Sequence, residues 1–180
     1  MLNWIFGGLA VAIFVFGVVV DRQPDDFRVT RSVSVAAAAS DLYRRVYDLH
    51  QWDAWSPWAK LDPAATHSFD GASEGKGATM RWASETMEVG KGAMTLMESH
   101  PDEFVQFLVE LQKPVIAVNT AEFTFRPEGD QTVVTWSMFG KRAFLAKAMN
   151  LLFSCDKMLG DQFEQGLANL KALAEQPQTK

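Results

Sequence analysis

Few side chains in this 180-residue chain are placed for covalent chemistry. A metal site gathers three or four His, Cys or carboxylate ligands. The histidines, His50, His67 and His100, stand far apart, each near a turn signal. Cys155 is the single cysteine, so no intrachain disulfide or cysteine-based metal site is expected. It has no histidine beside it and lies near Phe153 and Met158, so it reads as an inert buried thiol. Turn hydrogen bonding accounts for Ser56, and His50 is suited to bonding a ring N–H or the turn backbone. No catalytic residue, metal or cofactor is expected. Arg31 is different: strand alternation puts it on an apolar face, where an unpaired charge is costly. Asp156 or Glu164 is its expected partner. Alternatively, Arg31 and Asp156 form a polar site in a cavity and meet an anionic head group. Asp156, Asp161 and Glu164, with Lys157, read as a solvated helix face with local charge pairs.

The aromatic inventory is richer. Trp52, Trp55 and Trp58 are spaced by three, along one side of a short helical turn. Each ring buries about 150–250 Å² and has one N–H to satisfy. Pro57 disfavours the α conformation at Ser56 and ends the turn. The block reads as an aromatic cap across the mouth or edge of a core, either plugging it or gating a ligand.

The elements around this block form one domain. Phe27–Val35 alternates apolar and polar residues, a half-buried strand. Ser40, as N-cap, opens a helix to Leu49. From Ala65 to Gly140, short alternating runs and turn signals (Gly75-Lys-Gly77, Pro101-Asp102, Pro127-Glu-Gly129) describe an antiparallel meander. From Ala143 the period becomes helical, with Gly160 as a bend or break, and Phe163, Leu167 and Leu170 form a stripe. A sheet with one apolar face must bury it, and this C-terminal helix is the element able to cover it. The expected fold is α+β: a curved antiparallel sheet gripping a long C-terminal helix, with space between them for a pocket. Its inward-facing ligand-binding candidates are Met80, Trp82, Met94, Phe107, Phe123, Trp136, Met138, Met158 and Phe163, together with the three cap tryptophans. Methionine suits apolar binding sites; a solid core is the alternative.

Ahead of this domain, Leu2–Val20 carries no charge. At 1.5 Å per residue such a helix crosses roughly 30 Å of hydrocarbon. With no basic residue before it and no Ala-x-Ala site before Asp21, an uncleaved anchor fits better than a signal peptide. The expected organisation is an anchor over 1–21, a linker over 22–26, the domain over 27–175 and a polar tail over 176–180. Net charge is −5 and no basic stripe occurs, so no nucleic-acid partner is expected.

Val29-Thr-Arg31-Ser32, Trp52-Asp-Ala-Trp55-Ser56-Pro57-Trp58, Gly75-Lys-Gly77, Thr132-Val-Val-Thr-Trp136 and Asp156–Leu170 together resemble the START-like (SRPBCC) superfamily. The nearest branch is the bacterial polyketide cyclase/dehydrase and lipid transport proteins. The resemblance implies a helix-grip fold with a hydrophobic cavity, but no particular activity. The leading expectation is a non-catalytic module in the bacterial inner membrane, anchored through Leu2–Val20. It would hold a lipid-like, quinone-like or polycyclic ligand. The alternatives are an accessory or assembly subunit of a membrane protein complex with a filled core, and a cyclase-like enzyme.

Overall fold

The computed structural model describes residues 2–142, 146–148 and 155–176; the side chains at 2–7, 9–11 and 155 fall outside the description. Helix α1 (Leu2–Asp21) precedes strand β1 (Asp26–Val35) and helix α2 (Ala39–Tyr47). A 3-10 turn (Leu49–Gln51), the one-turn helix α3 (Trp52–Trp55) and another 3-10 turn (Trp58–Lys60) follow. Next come β2 (Thr66–Gly71), β3 (Ala78–Ala83), β4 (Lys91–His100), β5 (Phe104–Lys113), β6 (Ala117–Glu128) and β7 (Gln131–Lys141). Helix α4 (Cys155–Ala174) completes the described elements.

The strands form one seven-stranded antiparallel sheet in the order β1-β7-β6-β5-β4-β3-β2. Alternation sets its faces: Val105, Phe107 and Val109 of β5, Phe123 and Phe125 of β6, and Val134 and Trp136 of β7 are buried. Irregularities in the β4 register at Lys91/Gly92 and Leu96/Glu98 help to curve the sheet. Phe163, Leu167 and Leu170 of α4 are buried against this face. Each contributes roughly 1.5–3 kcal/mol by leaving water.

Register places several connections at one end of the sheet. There β1 begins opposite the end of β7, β6 begins opposite the end of β5, and β4 begins opposite the end of β3. The α1–β1 linker, the 84–90 loop and the 114–116 loop therefore share that end. Lys147 secures the linker there: its buried ammonium pairs with Asp25 and lies 3.5 Å from the Asp21 carbonyl. A cation is favourable beside the C-terminal carbonyls of a helix.

Three local expectations change. Ser40 is not the α2 cap: Asp41 and Leu42 donate to the Ala38 carbonyl, so the helix starts at Ala39. The helix stops at Tyr47 because Asp48 is extended and accepts the His50 N–H, starting the next turn. Gly160 does not break α4. Instead the Arg31 guanidinium lies against it, where a Cβ would stand 1.9 Å from Nη2. The expected helical residues Phe144, Met149, Leu152 and Phe153 lie outside the described residues, as does the Cys155 side chain.

In α1 the described apolar side chains project outward all round: Ile13, Phe14, Val15, Phe16, Val18 and Val19 are exposed, and Val20 is buried. The expected span Leu2–Val20 falls partly outside the described side chains. Among the described residues no helix is long and apolar enough to cross a membrane.

Candidate ligand-binding cavity

The cap tryptophans are fixed by the end of α2. The last carbonyls of a helix lack intrahelical partners. Trp52 Nε1 donates to the Val46 carbonyl at 2.8 Å, and Trp55 Nε1 to that of Arg45 at 3.1 Å. Two orphan acceptors and two buried indole donors thus satisfy each other. Ser56 is extended, as Pro57 requires, and the chain turns away. Asn169 of α4 donates to the Trp55 carbonyl at 3.1 Å, tying the block to the helix. Trp52, Trp55 and Trp58 all meet Trp136 at steep ring angles, and Trp136 stacks on Phe163 with centroids 4.1 Å apart.

The core beside this cluster is not solid. A cavity of about 270 Å³ opens between the aromatic cap, the sheet and the start of α4. That is just below the usual range for small-molecule sites, about 300–1,000 Å³. Trp52, Trp58, Met80, Trp82, Met94, Trp136 and Met138 line it. Trp82 lies across bare Gly92, where a Cβ would stand 2.5 Å from the ring, and its Nε1 donates to the Val89 carbonyl at 3.1 Å. Trp55, Phe107, Phe123 and Phe163 are fully buried but are not part of the wall; they support it from behind.

Two expected cavity positions lie elsewhere. Met158 is 63 % exposed on α4. It stands five residues before Phe163, which at 3.6 residues per turn is far round the helix. The Arg31–Asp156 site does not form in the cavity. Arg31 is on the inner face but pairs with Glu164, Nε to Oε1 2.7 Å, and donates from Nη1 to the Thr30 carbonyl. Asp156 is exposed.

The polar atoms of the wall come from residues that local sequence did not single out. Asn119 of β6 is 6 % exposed and its Oδ1 has no hydrogen-bond partner among the described residues. Asp53 of α3 and His67 of β2 both border the cavity, with His67 Nδ1 3.0 Å from Asp53 Oδ1. Ser56, Glu88 and Lys113 complete the polar lining. A second hollow of about 320 Å³ lies beyond the end of α2, but its Asp48 and Asp70 already bond Gln51 and Arg81. Among the described residues, no group of three His, Cys, Asp or Glu is placed to hold a metal ion.

A curved antiparallel sheet, a covering C-terminal helix and an apolar cavity between them define a helix-grip protein. Residues 26–175 match the family described as "Polyketide cyclase / dehydrase and lipid transport", and the chain belongs to that family. No curated protein matches the chain. A protein from Thermobifida fusca superposes with a TM-score of 0.61 at 22 % identity, covering 80 % of this chain and 90 % of its own. One from Chromobacterium violaceum gives 0.60 at 15 % identity, covering 86 % and 100 %. The Aha1 dimer from Colwellia psychrerythraea gives 0.58 at 13 %, covering 84 % and 98 %. At these identities the likeness is one of fold.

Proposed function

We propose that the chain is a membrane-anchored binding module that holds one apolar molecule, lipid-like, quinone-like or polycyclic, without transforming it. The observation that carries this reading is a cavity walled mainly by apolar side chains, five aromatic residues and three methionines among them, inside the family's fold. The anchor is α1, in the bacterial inner membrane. Among the described residues Ile13, Phe14, Val15 and Phe16 are exposed all round this helix, and a bilayer supplies a partner for such a surface. The sequence extends that apolar run back to Leu2. The cavity wall includes Phe27, just after the linker, and residues of the 84–90 and 114–116 loops. Those loops carry Met87 and Ile116, 73 % and 81 % exposed, at the same end of the sheet as α1. Tethering there raises the effective concentration of membrane-dissolved ligand at the opening.

Native mass spectrometry of the full chain, released gently from membranes, tests this. The expected spectrum has a 1:1 adduct that organic extraction removes and identifies as an apolar small molecule. An unliganded chain that also takes up no added lipid or quinone would refute the reading. Cyclase-like catalysis is a second reading, favoured by one observation: the Asp53–His67 pair on the cavity wall. A carboxylate that orients an imidazole beside a bound substrate is a general-base arrangement. Conversion of the extracted ligand by wild type but not His67→Gln would favour it.

A further inference from the structure

Outside α1, seven large apolar side chains are exposed among the described residues. Five of them, Leu61, Met87, Ile116, Val118 and Met158, gather at the end of the sheet where α1 joins β1. Met87 and Ile116 lie in the 84–90 and 114–116 loops, and Val118 is the second residue of β6. Leu61 precedes Asp62, whose carboxylate accepts from the Ser84 hydroxyl at 2.6 Å. The direction of α4 places Met158. Gly160 lies against Arg31, and further on Lys171 donates to the Ser34 carbonyl, so α4 starts near the beginning of β1. The other end of the sheet differs. Its connections, 72–77, 101–103 and 129–130, carry Glu74, Lys76, Asp102, Glu103 and Asp130 and no exposed large apolar residue. Turns are ordinarily built from such residues, so the apolar loops are peculiar to the α1 end. Of the other two exposed side chains, Phe69 stacks on His50, and Met97 is the unpaired residue of the β4 irregularity. The cavity takes Ala65, Val89, Pro114 and Leu159 into its wall, each within four residues of one of the five. The exposed apolar residues therefore ring its opening.

We infer that this rim is a membrane-docking surface, seated in the headgroup region of the bilayer that holds α1, with the cavity opening turned to the lipid. This rests on the anchored-module reading above and adds a contact made by the domain itself. Exposed apolar patches mark interaction sites, and two features select a bilayer as the occupant here. The first is reach: Asp21 to Asp26 is five Cα steps, at most about 18 Å. The pairing of Lys147 with Asp25 and the Asp21 carbonyl fastens that tether to the domain. The second is form. The apolar side chains come singly from separate connections around an opening, which suits insertion into a fluid boundary about 5–10 Å deep. Two acids at this end do not oppose the approach, because Glu85 pairs with Lys91 and Asp25 with Lys147. An apolar molecule dissolved in the bilayer then enters the cavity without crossing water.

The test is NMR of isotope-labelled methionine methyls in the full chain, held in nanodiscs of phosphatidylcholine and phosphatidylglycerol. Spectra are compared with and without phosphatidylcholine that carries a doxyl spin label just below the headgroup. Single methionine-to-leucine variants assign the signals. Met87 and Met158 are expected to lose their signals to the label, while Met97, exposed on β4 beyond the rim, keeps its own. A water-soluble gadolinium chelate should reverse the pattern. Survival of the Met87 and Met158 signals beside the spin label, in chain that stays with the nanodisc, would overturn the docking surface and leave the anchor and the cavity standing. Protection of both from label and chelate alike, the mark of a second copy on this face, would also overturn it. Chain that does not stay with the nanodisc would overturn the anchor and the docking surface together.

Discussion

Ala121→Leu tests whether the cavity is real space. Ala121 is 1 % exposed on β6, paired with Met138 on one side and Phe107 on the other, and it forms part of the cavity wall. Leucine adds three carbons. Buried in empty apolar space, they contribute about 0.8 kcal/mol each, about 2.4 kcal/mol together. Ordering the longer side chain costs about 0.5–1 kcal/mol. The variant should thus gain about 1.5–2 kcal/mol. At this chain length that raises the melting temperature by about 3–8 °C. In a solid core the same change is overpacking and costs about 1–3 kcal/mol. The sign of the shift therefore separates the two. The comparison needs lipid-stripped protein, since ligand bound only to wild type would stabilise it and hide the gain. The second readout is ligand occupancy by native mass spectrometry, which should fall. A lower melting temperature with occupancy unchanged would refute the reasoning.

Gly166→Ala should destabilise the fold even though alanine is the better helix former. A Cβ there would stand 2.9 Å from both Pro57 Cδ and Trp136 Cζ3, neither of them a flexible chain end. The helical gain of about 1 kcal/mol is outweighed by an overpacking cost of about 1–3 kcal/mol. A urea midpoint lowered by the equivalent of about 1 kcal/mol is expected, and a raised midpoint would show that α4 does not lie so close to the cap. At the linker, the hydrogen bond and charge of Lys147 hold the Asp25 carboxyl below its ordinary 3.8. A lowered folded pKa stabilises above the unfolded value and loses that effect as pH falls through the folded value. Lys147→Met should therefore melt below wild type at pH 7, with the gap narrowing as pH drops below about 3.8. A gap that stays constant down to pH 2 would show that Asp25 is not the partner.

The order of elements was legible because β5, β6 and β7 alternate cleanly and α4 keeps its stripe. The ends of elements were not, because ladders and caps are settled by backbone bonds. Arg31 was legible as a charge on an apolar face, but its partner was not chosen. Gly160 decides it. The guanidinium crosses α4 there, with Asp156 one turn before and Glu164 one turn after. Helical Cα–Cβ bonds tilt toward the N-terminus, so Glu164 leans back over Gly160 while Asp156 leans away. The alternation that singled out Arg31 applies equally to Asn119, in phase with Ala121 and Phe123, and was sufficient to find it. Asp53 and His67 had no such signal. They meet only because the cap folds over the edge of the sheet, which nothing local to either residue specifies.

The tryptophan block divides into parts that one sequence pattern could not separate. Trp55 is support, with no exposed surface and its N–H held by α2. Trp52 is both support and wall, and Trp58 is wall. The hydrogen bonds explain why the cavity stays open. Three indole N–H groups, of Trp52, Trp55 and Trp82, are held by the backbone carbonyls of Val46, Arg45 and Val89. Swinging Trp52 or Trp82 inward to fill the space would break such a bond and leave a buried donor and acceptor unpaired, at roughly 1–3 kcal/mol for each group. That is of the same size as what closing the space would return at about 25 cal/mol per Å², so the bonds oppose collapse. A pocket held open in this way is the condition under which Ala121→Leu would stabilise the protein and, on the proposed reading, displace the ligand.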